Sequence, residues 1–215
     1  FSQYGLETET DTVSIPSDGL TRYNVQRGTA MQLLRELARR NGMFVYVKPA
    51  DTPGSSIGVF KYPAFANGML PELLLMGADR NINTFSARFN GLRPLKATAG
   101  NVDITNQELL TTRTETSDLD TQGDTPVHGM VDAGESLLVR TGTQRPDLDA
   151  ATLAAVNHSA WAYSAHSEVI ADNYNGVLSP YQTIRVAGAG GHLSGDWLIN
   201  QVTHTINDAG YKQQF

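Results

Sequence analysis

The chain has 215 residues, 40% of them hydrophobic and 18% charged, and no cysteine. That composition belongs to a folded chain rather than a disordered one, and it excludes disulfide frameworks, thiolate nucleophiles and cysteine-ligated zinc. Lys plus Arg is 16 against 22 Asp plus Glu, a net charge of −6, which argues against general affinity for nucleic acid; no run of about 18 apolar residues suggests a membrane-spanning helix.

The charge is uneven. Between Asp103 and Ala150 there are ten acids against three arginines, while the rest of the chain is close to neutral. Such blocks are usually solvated loops. Twenty glycines and nine prolines, with modest helical patterning, predict a turn-rich, mainly β protein.

Phe1 to Gly5 reads as the end of a helix stopped by Gly5. Tyr211 to Phe215 reads as a strand cut short. Both ends are expected to continue in a longer parent protein. The best-signalled unit is Thr21 to Lys48. Thr29 and Gln32 form a capping box. Ala30, Leu33, Leu34, Leu37 and Ala38 make one apolar stripe, with Arg35, Glu36, Arg39 and Arg40 on the other face. Asn41-Gly42 is the stop. The result is a helix of about 12 residues, roughly 18 Å long, that turns into a strand over Met43 to Val47.

Pro49 to Gly58 reads as a loop and Val59 to Tyr62 as a short strand. Leu73 to Met76 fits either a turn of helix or a short strand. Gly77 to Asn81 reads as the boundary between two units. From Ile82 the period becomes two, with Phe85, Ala87 and Phe89 on one face and Thr84, Ser86 and Arg88 on the other. Short strands follow over Lys96 to Ala99 and Val102 to Leu110. Thr111 to Ser136 reads as a long, exposed polar insertion, and Leu137 to Arg140 as one more strand. A second helix is capped around Pro146, Asp147 and Asp149. Its stripe runs through Leu148, Leu153, Val156 and Ala160 to Tyr163 or Ser164. The chain then predicts a meander: Ser167 to Ala171, Gln182 to Ala187, one long strand from Trp197 to Asn207, a turn through Asn207 to Gly210, and Tyr211 to Phe215. No internal repeat is present. The expected organisation is a small α/β unit ending near residue 80. A tube-like antiparallel β barrel over 81–215 follows, with one packed helix and the insertion at about 111–136.

No constellation in the chain carries chemistry. The five histidines, His128, His158, His166, His192 and His204, lack metal-ligand spacing. His158 and His166 are eight apart and could share a helix face, but two ligands do not make a site. Gly191-His192-Leu193-Ser194-Gly195 approaches a nucleophile elbow without its strand-to-helix context and reads as a polar turn. Glu115, Asp118, Asp120 and Asp124 cluster in the acidic segment. Asp118 and Asp120 imitate the start of a calcium loop but lack its glycine and closing glutamate. Gly188 to Gly191 follows a strand with no helix after it to cradle a phosphate. No catalytic, cofactor-binding or metal-binding residue is assigned, and the chain is not read as an enzyme. Trp161, Trp197 and Tyr174 could stack on sugar rings, but read first as core aromatics.

Two blocks carry a resemblance. One is Tyr23 to Gly42 with the strand Met43 to Val47. The other runs from Gly176-Val177-Leu178-Ser179-Pro180 through Gln182 to Gly188, Leu193-Ser194-Gly195, Trp197-Leu198-Ile199, Val202 and His204 to Gly210-Tyr211. Both resemble the late control protein D family of tailed phages, related to the central baseplate hub and to the VgrG spikes of type VI secretion systems. Ile82 to Leu110 is similar to the opening strands of that family's second barrel; Thr111 to Ser136 departs from the pattern. The resemblance implies a homotrimeric structural hub in the virion that joins the tail tube to the spike and is assembled in the host cytoplasm. The competing readings are a tail-associated cell-wall hydrolase and a host-glycan-binding module. In a trimer, the meander from Gln182 to Phe215 is expected to leave an edge carrying Ile184, Val186, Ile199 and Val202, with Thr183 facing outward; the alternative is that it closes on Ile82 to Leu110 within one subunit.

Overall fold

A computed structural model describes residues 1–13, 26–63, 65, 70–103, 106–120, 126–138, 145–170, 173–208 and 210–215. In chain order the elements are β1 (Glu7–Thr10), α1 (Ala30–Arg40), β2 (Phe44–Pro49), β3 (Ser56–Lys61), β4 (Leu73–Leu74), β5 (Ile82–Phe89), β6 (Leu95–Asp103), β7 (Glu108–Thr114), α2 (Val127–Met130), β8 (Gly134–Leu138), α3 (Arg145–Ser159), β9 (Tyr163–Val169), β10 (Thr183–Ala187), β11 (Gly195–Leu198), β12 (Thr203–Asn207) and β13 (Gly210–Gln214). The described residues are mostly β, with three α-helices and four sheets among them. It divides into two units, each drawn from three stretches of chain. The first is Phe1–Ala64, Leu95–Asp118 and Ala133–Ala160; the second is Phe65–Pro94, Leu119–Asp132 and Trp161–Phe215.

In the first unit, α1 forms where local chemistry places it. The amide of Gln32 donates to Thr29 Oγ1 at 3.2 Å, and that of Thr29 donates to Gln32 Oε1 at 2.9 Å, so both halves of the capping box are made. Arg39 and Arg40 occupy the last turn, where positive charge suits the helix dipole. Gly42 takes a left-handed φ of 68°, and a Cβ there would press on Ala154 of α3 at 3.4 Å. Ala38 is buried, but Leu33, Leu34 and Leu37 are only half-buried. The chain opens with a 3-10 turn, Ser2–Tyr4, ended by Gly5 at φ 72°. The strand order β1-β3-β2 sets β1 parallel and β2 antiparallel to β3.

The same unit's other sheet is β7-β6-β8, with β7 antiparallel and β8 parallel to β6. Helix α3 packs on β6 and β7. Ala97 and Ala99 are fully buried, as are Leu148, Thr152 and Val156 of the helix. Polar side chains fix the register. Thr112 Oγ1 donates to Asp149 Oδ1 (2.5 Å), Thr114 Oγ1 to Thr152 Oγ1 (2.9 Å) and Ser117 Oγ to Asn157 Oδ1 (2.7 Å), while Asn157 Nδ2 donates to Asp118 Oδ1 (2.7 Å). These bonds revise the expected insertion. Thr111 to Thr114 is the end of β7, α2 interrupts the segment, and β8 begins at Gly134. Alternate β-branched threonines favour a strand, and their hydroxyls have partners on α3.

The second unit sets two sheets around one core. Sheet β11-β10-β4 pairs β10 antiparallel with β11 and parallel with β4. Sheet β12-β13-β9-β5 is antiparallel throughout. Between them lie Leu73, Ile82, Val169, Tyr174, Leu178, Ile184, Val186 and Ile199. Leu73 to Leu74 is thus settled as strand, because it pairs with Val186 to Ala187.

Three expectations are corrected here. The second helix stops at Ser159 and does not reach Tyr163 or Ser164, because residues 163–169 alternate and turn Ser167 and Val169 into the core. Trp197 to Asn207 is not one strand. Ile199 is buried and still bonds to Tyr181 and Gln182, but the chain then leaves that sheet and resumes as β12 in the other. The meander is therefore split between two sheets. Ile184, Val186 and Ile199, expected on an open edge, are core residues, and Thr183, expected to face outward, is 5% exposed. Among the described residues each of the four sheets is open at both edges. No described helix is long and apolar enough to cross a membrane.

Candidate functional site

The singled-out residues do not converge. His158 ends α3 in the first unit, whereas His166 lies on β9 in the second, so they share no helix face. His166 and His192 are exposed. His204 has its Nδ1 2.7 Å from the Tyr211 hydroxyl, with the two rings nearly parallel. Among the described residues no three His, Asp or Glu side chains form a metal-ligating group.

The acidic residues have structural partners. Glu115 pairs with Arg113 at 3.3 Å, and Arg113 also binds Glu135. Asp118 is held by Asn157. Asp124, Tyr23 to Val25, and the strand ends expected at Arg140 and Ala171 lie outside the described residues. Gly188 to Ser194 is the connection between β10 and β11, with left-handed φ at Gly188 and Gly190. Ser194 Oγ accepts from the amide of Ala189 at 3.1 Å, so the serine closes the loop.

The aromatics pack on one another. Trp197 meets Phe85 and Tyr163 edge-on at 5.2 and 6.4 Å between ring centres, Tyr163 stands against Phe89 at 4.7 Å, and Trp161 against Phe65 at 5.5 Å. Trp197 Nε1 donates to the Leu193 carbonyl at 3.0 Å. Tyr174 is buried, its hydroxyl donates to the Pro71 carbonyl at 3.1 Å, and burial pushes its pKa up to about 12.

Two structural residues gave little sequence signal. Gln213 of β13 is 2% exposed; its Oε1 accepts from the Leu178 amide and its Nε2 donates to the Gly176 carbonyl, both at 2.8 Å. Asn81 is also buried; its side chain accepts from the Leu74 amide at 2.7 Å and donates to the Glu72 carbonyl at 2.8 Å. Gln213 satisfies backbone groups of a segment 35 and 37 residues away and Asn81 those of the segment seven and nine residues before it, and no periodicity reveals either.

What the described surface does offer is strand edges. β12 is exposed along its whole length, and Ile206 on it is 82% exposed. At the opposite end of the same sheet, β5 is exposed at five of its eight residues.

No family model and no curated protein matches this chain. Solved structures do. The 43 kDa tail protein of prophage MuSo2 from Shewanella oneidensis is similar over 99% of this chain, with a TM-score of 0.62 and 16% identity. A tail protein from Neisseria meningitidis MC58 is similar over 97%, with a TM-score of 0.54 and 12% identity. The chain spans 59% of the length of each. What it shares with these tail proteins is their fold.

Proposed function

We propose that this chain is a structural component of a phage tail. It serves as part of a homotrimeric hub in the baseplate that joins the tail tube to the spike, and it enters the virion after assembly in the host cytoplasm. The observation that carries this reading is the likeness, over 99% of the chain, to the fold of a prophage tail protein. The two quoted sequence blocks support the narrower hub assignment. In that reading a tube-like barrel is completed by assembly. The hydrolase and glycan-binding alternatives gain no specific observation, since Trp161, Trp197 and Tyr174 all have packing or hydrogen-bonding partners inside their own unit.

Sedimentation equilibrium of the purified chain tests the hub. A trimer is expected, with an interface above about 1,000 Å², the usual size of a specific contact. A chain that stays monomeric and releases soluble fragments from peptidoglycan, losing that activity in His204→Ala, would overturn it.

A further inference from the structure

We infer that β12 of one copy pairs with β5 of the next, so that the four-stranded sheet continues from subunit to subunit. The argument begins with edge protection. Proteins guard exposed strand edges with charge, proline or extreme shortness. Among the described edge strands, β1 carries Glu7 and Glu9, β2 carries Lys48 and Pro49, and β11 carries Asp196. β7 carries Glu108 and Arg113, β8 carries Glu135, and β4 has two residues. β12 reads Thr-His-Thr-Ile-Asn, with neither a charged residue nor a proline, and is exposed throughout. Its sheet's other edge, β5, has a single charge, Arg88, and a regular stretch from Phe85 to Phe89 beyond its bulge. Both edges match in length at five residues.

Direction and face also fit. Three antiparallel pairings separate β12 from β5, so the two run in opposite directions. Rotation about an axis along the strands preserves direction, and β12 therefore meets the next copy's β5 antiparallel. The registers place Phe85, Ala87, Gln213, His204 and Ile206 on the core-side face, and Ser86, Arg88 and Thr205 on the other. A continued sheet must keep these faces in step. Setting Ser86 opposite Thr205 does so, and brings the exposed Ile206 against Phe85. A twofold pairing of β12 with itself would leave β5 open in both copies; head-to-tail pairing satisfies both edges and closes if the rotation closes. The inference rests on the trimeric reading only for the number of copies.

The chain has no cysteine of its own, so engineered thiols report cleanly. Ser86→Cys and Thr205→Cys in one full-length chain should give, on oxidation, a covalent ladder ending at the ring. The two single variants should cross-link when mixed but not separately. Thr205→Lys should raise the assembly's dissociation constant at least tenfold, with an unchanged melting curve for the subunit. Cross-linking of Thr205→Cys to itself would reveal the twofold pairing and overturn the inference. A trimer of unchanged size that cross-links neither through Ser86 nor through Arg88→Cys, two residues along, would overturn it while leaving the hub reading intact. A chain that is monomeric at every concentration would overturn both.

Discussion

Gln213 offers the sharpest test of how the second unit is held together. Its amide bridges from the edge-proximal strand β13 to the loop at Gly176 to Leu178, and both hydrogen bonds are 2.8 Å. Replacing it with leucine keeps most of the volume, so cavity formation contributes little. The change strands the amide of Leu178, which is buried, and the carbonyl of Gly176, which is partly so. An unsatisfied buried backbone group costs about 1–3 kcal/mol; two of them, one partly solvated, amount to about 3 kcal/mol. For a unit of about 100 residues that corresponds to a fall of about 12–24 °C in melting temperature. Both tryptophans of the chain, Trp161 and Trp197, lie in the second unit, so urea unfolding followed by tryptophan fluorescence reads this unit alone. Gln214→Leu is the comparison, one residue along on the exposed face; it loses only a surface hydrogen bond to Glu168 Oε2 (2.8 Å) and should cost no more than about 1 kcal/mol. A Gln213→Leu cost as small as that of Gln214→Leu would refute the claim that this amide pins the loop.

Other perturbations follow from the same contacts. Thr183 Oγ1 is buried without a partner among the described residues; Thr183→Val should stabilise the second unit by about 1 kcal/mol, read as a higher urea midpoint. Leu37 is half-buried on α1, so Leu37→Ala should cost about 1–2 kcal/mol, below the range of about 2–5 for a fully buried leucine; the helical circular dichroism signal, which comes mainly from the first unit, is the readout. Hydrogen bonds from Lys48 and Lys61 hold the Glu9 carboxyl below its ordinary value. A depressed folded pKa gives stability that is present above the unfolded value and lost as pH falls through the folded one; unfolding midpoints should therefore drop on acidification below about pH 4.5, and drop less in Glu9→Gln.

The elements that were legible in the sequence are those whose causes are local. Thr29, Gln32, Asn41 and Gly42 lie within one helix and its two ends, and they bound α1 as expected. The Asn207 to Gly210 connection likewise places β12 against β13. What failed depended on distant partners. Whether Leu73 to Leu74 is strand is decided by Val186 and Ala187, more than a hundred residues away. Thr112 and Thr114 looked like loop because their partners, Asp149 and Thr152, belong to a later helix. The candidate chemical residues behaved in the same way. Ser194, Asp118 and Tyr174 each has a backbone or amide partner that explains its position, and none of those partners could be inferred from spacing.

The misplaced edge shows what alternation encodes and what it leaves open. A period of two tells which side chains face a core, because successive residues point to opposite faces. It carries no information about the perpendicular direction, in which strands hydrogen-bond to their neighbours. Ile184, Val186 and Ile199, expected on an open edge, lie in the centre of the second unit's core, because alternation cannot separate an open edge from the middle of a sandwich. The perpendicular direction leaves a different trace, in the residues that guard an edge. Glu7, Lys48, Asp196, Glu108 and Glu135 all sit on edge strands, and each makes unwanted pairing costly. Thr203 to Asn207 lacks any such guard and is exposed on both faces. An edge of that kind is a template for pairing with another strand, and the other edge of the same sheet, β5, carries Arg88 as its one charge, runs in the opposite direction and matches it in length.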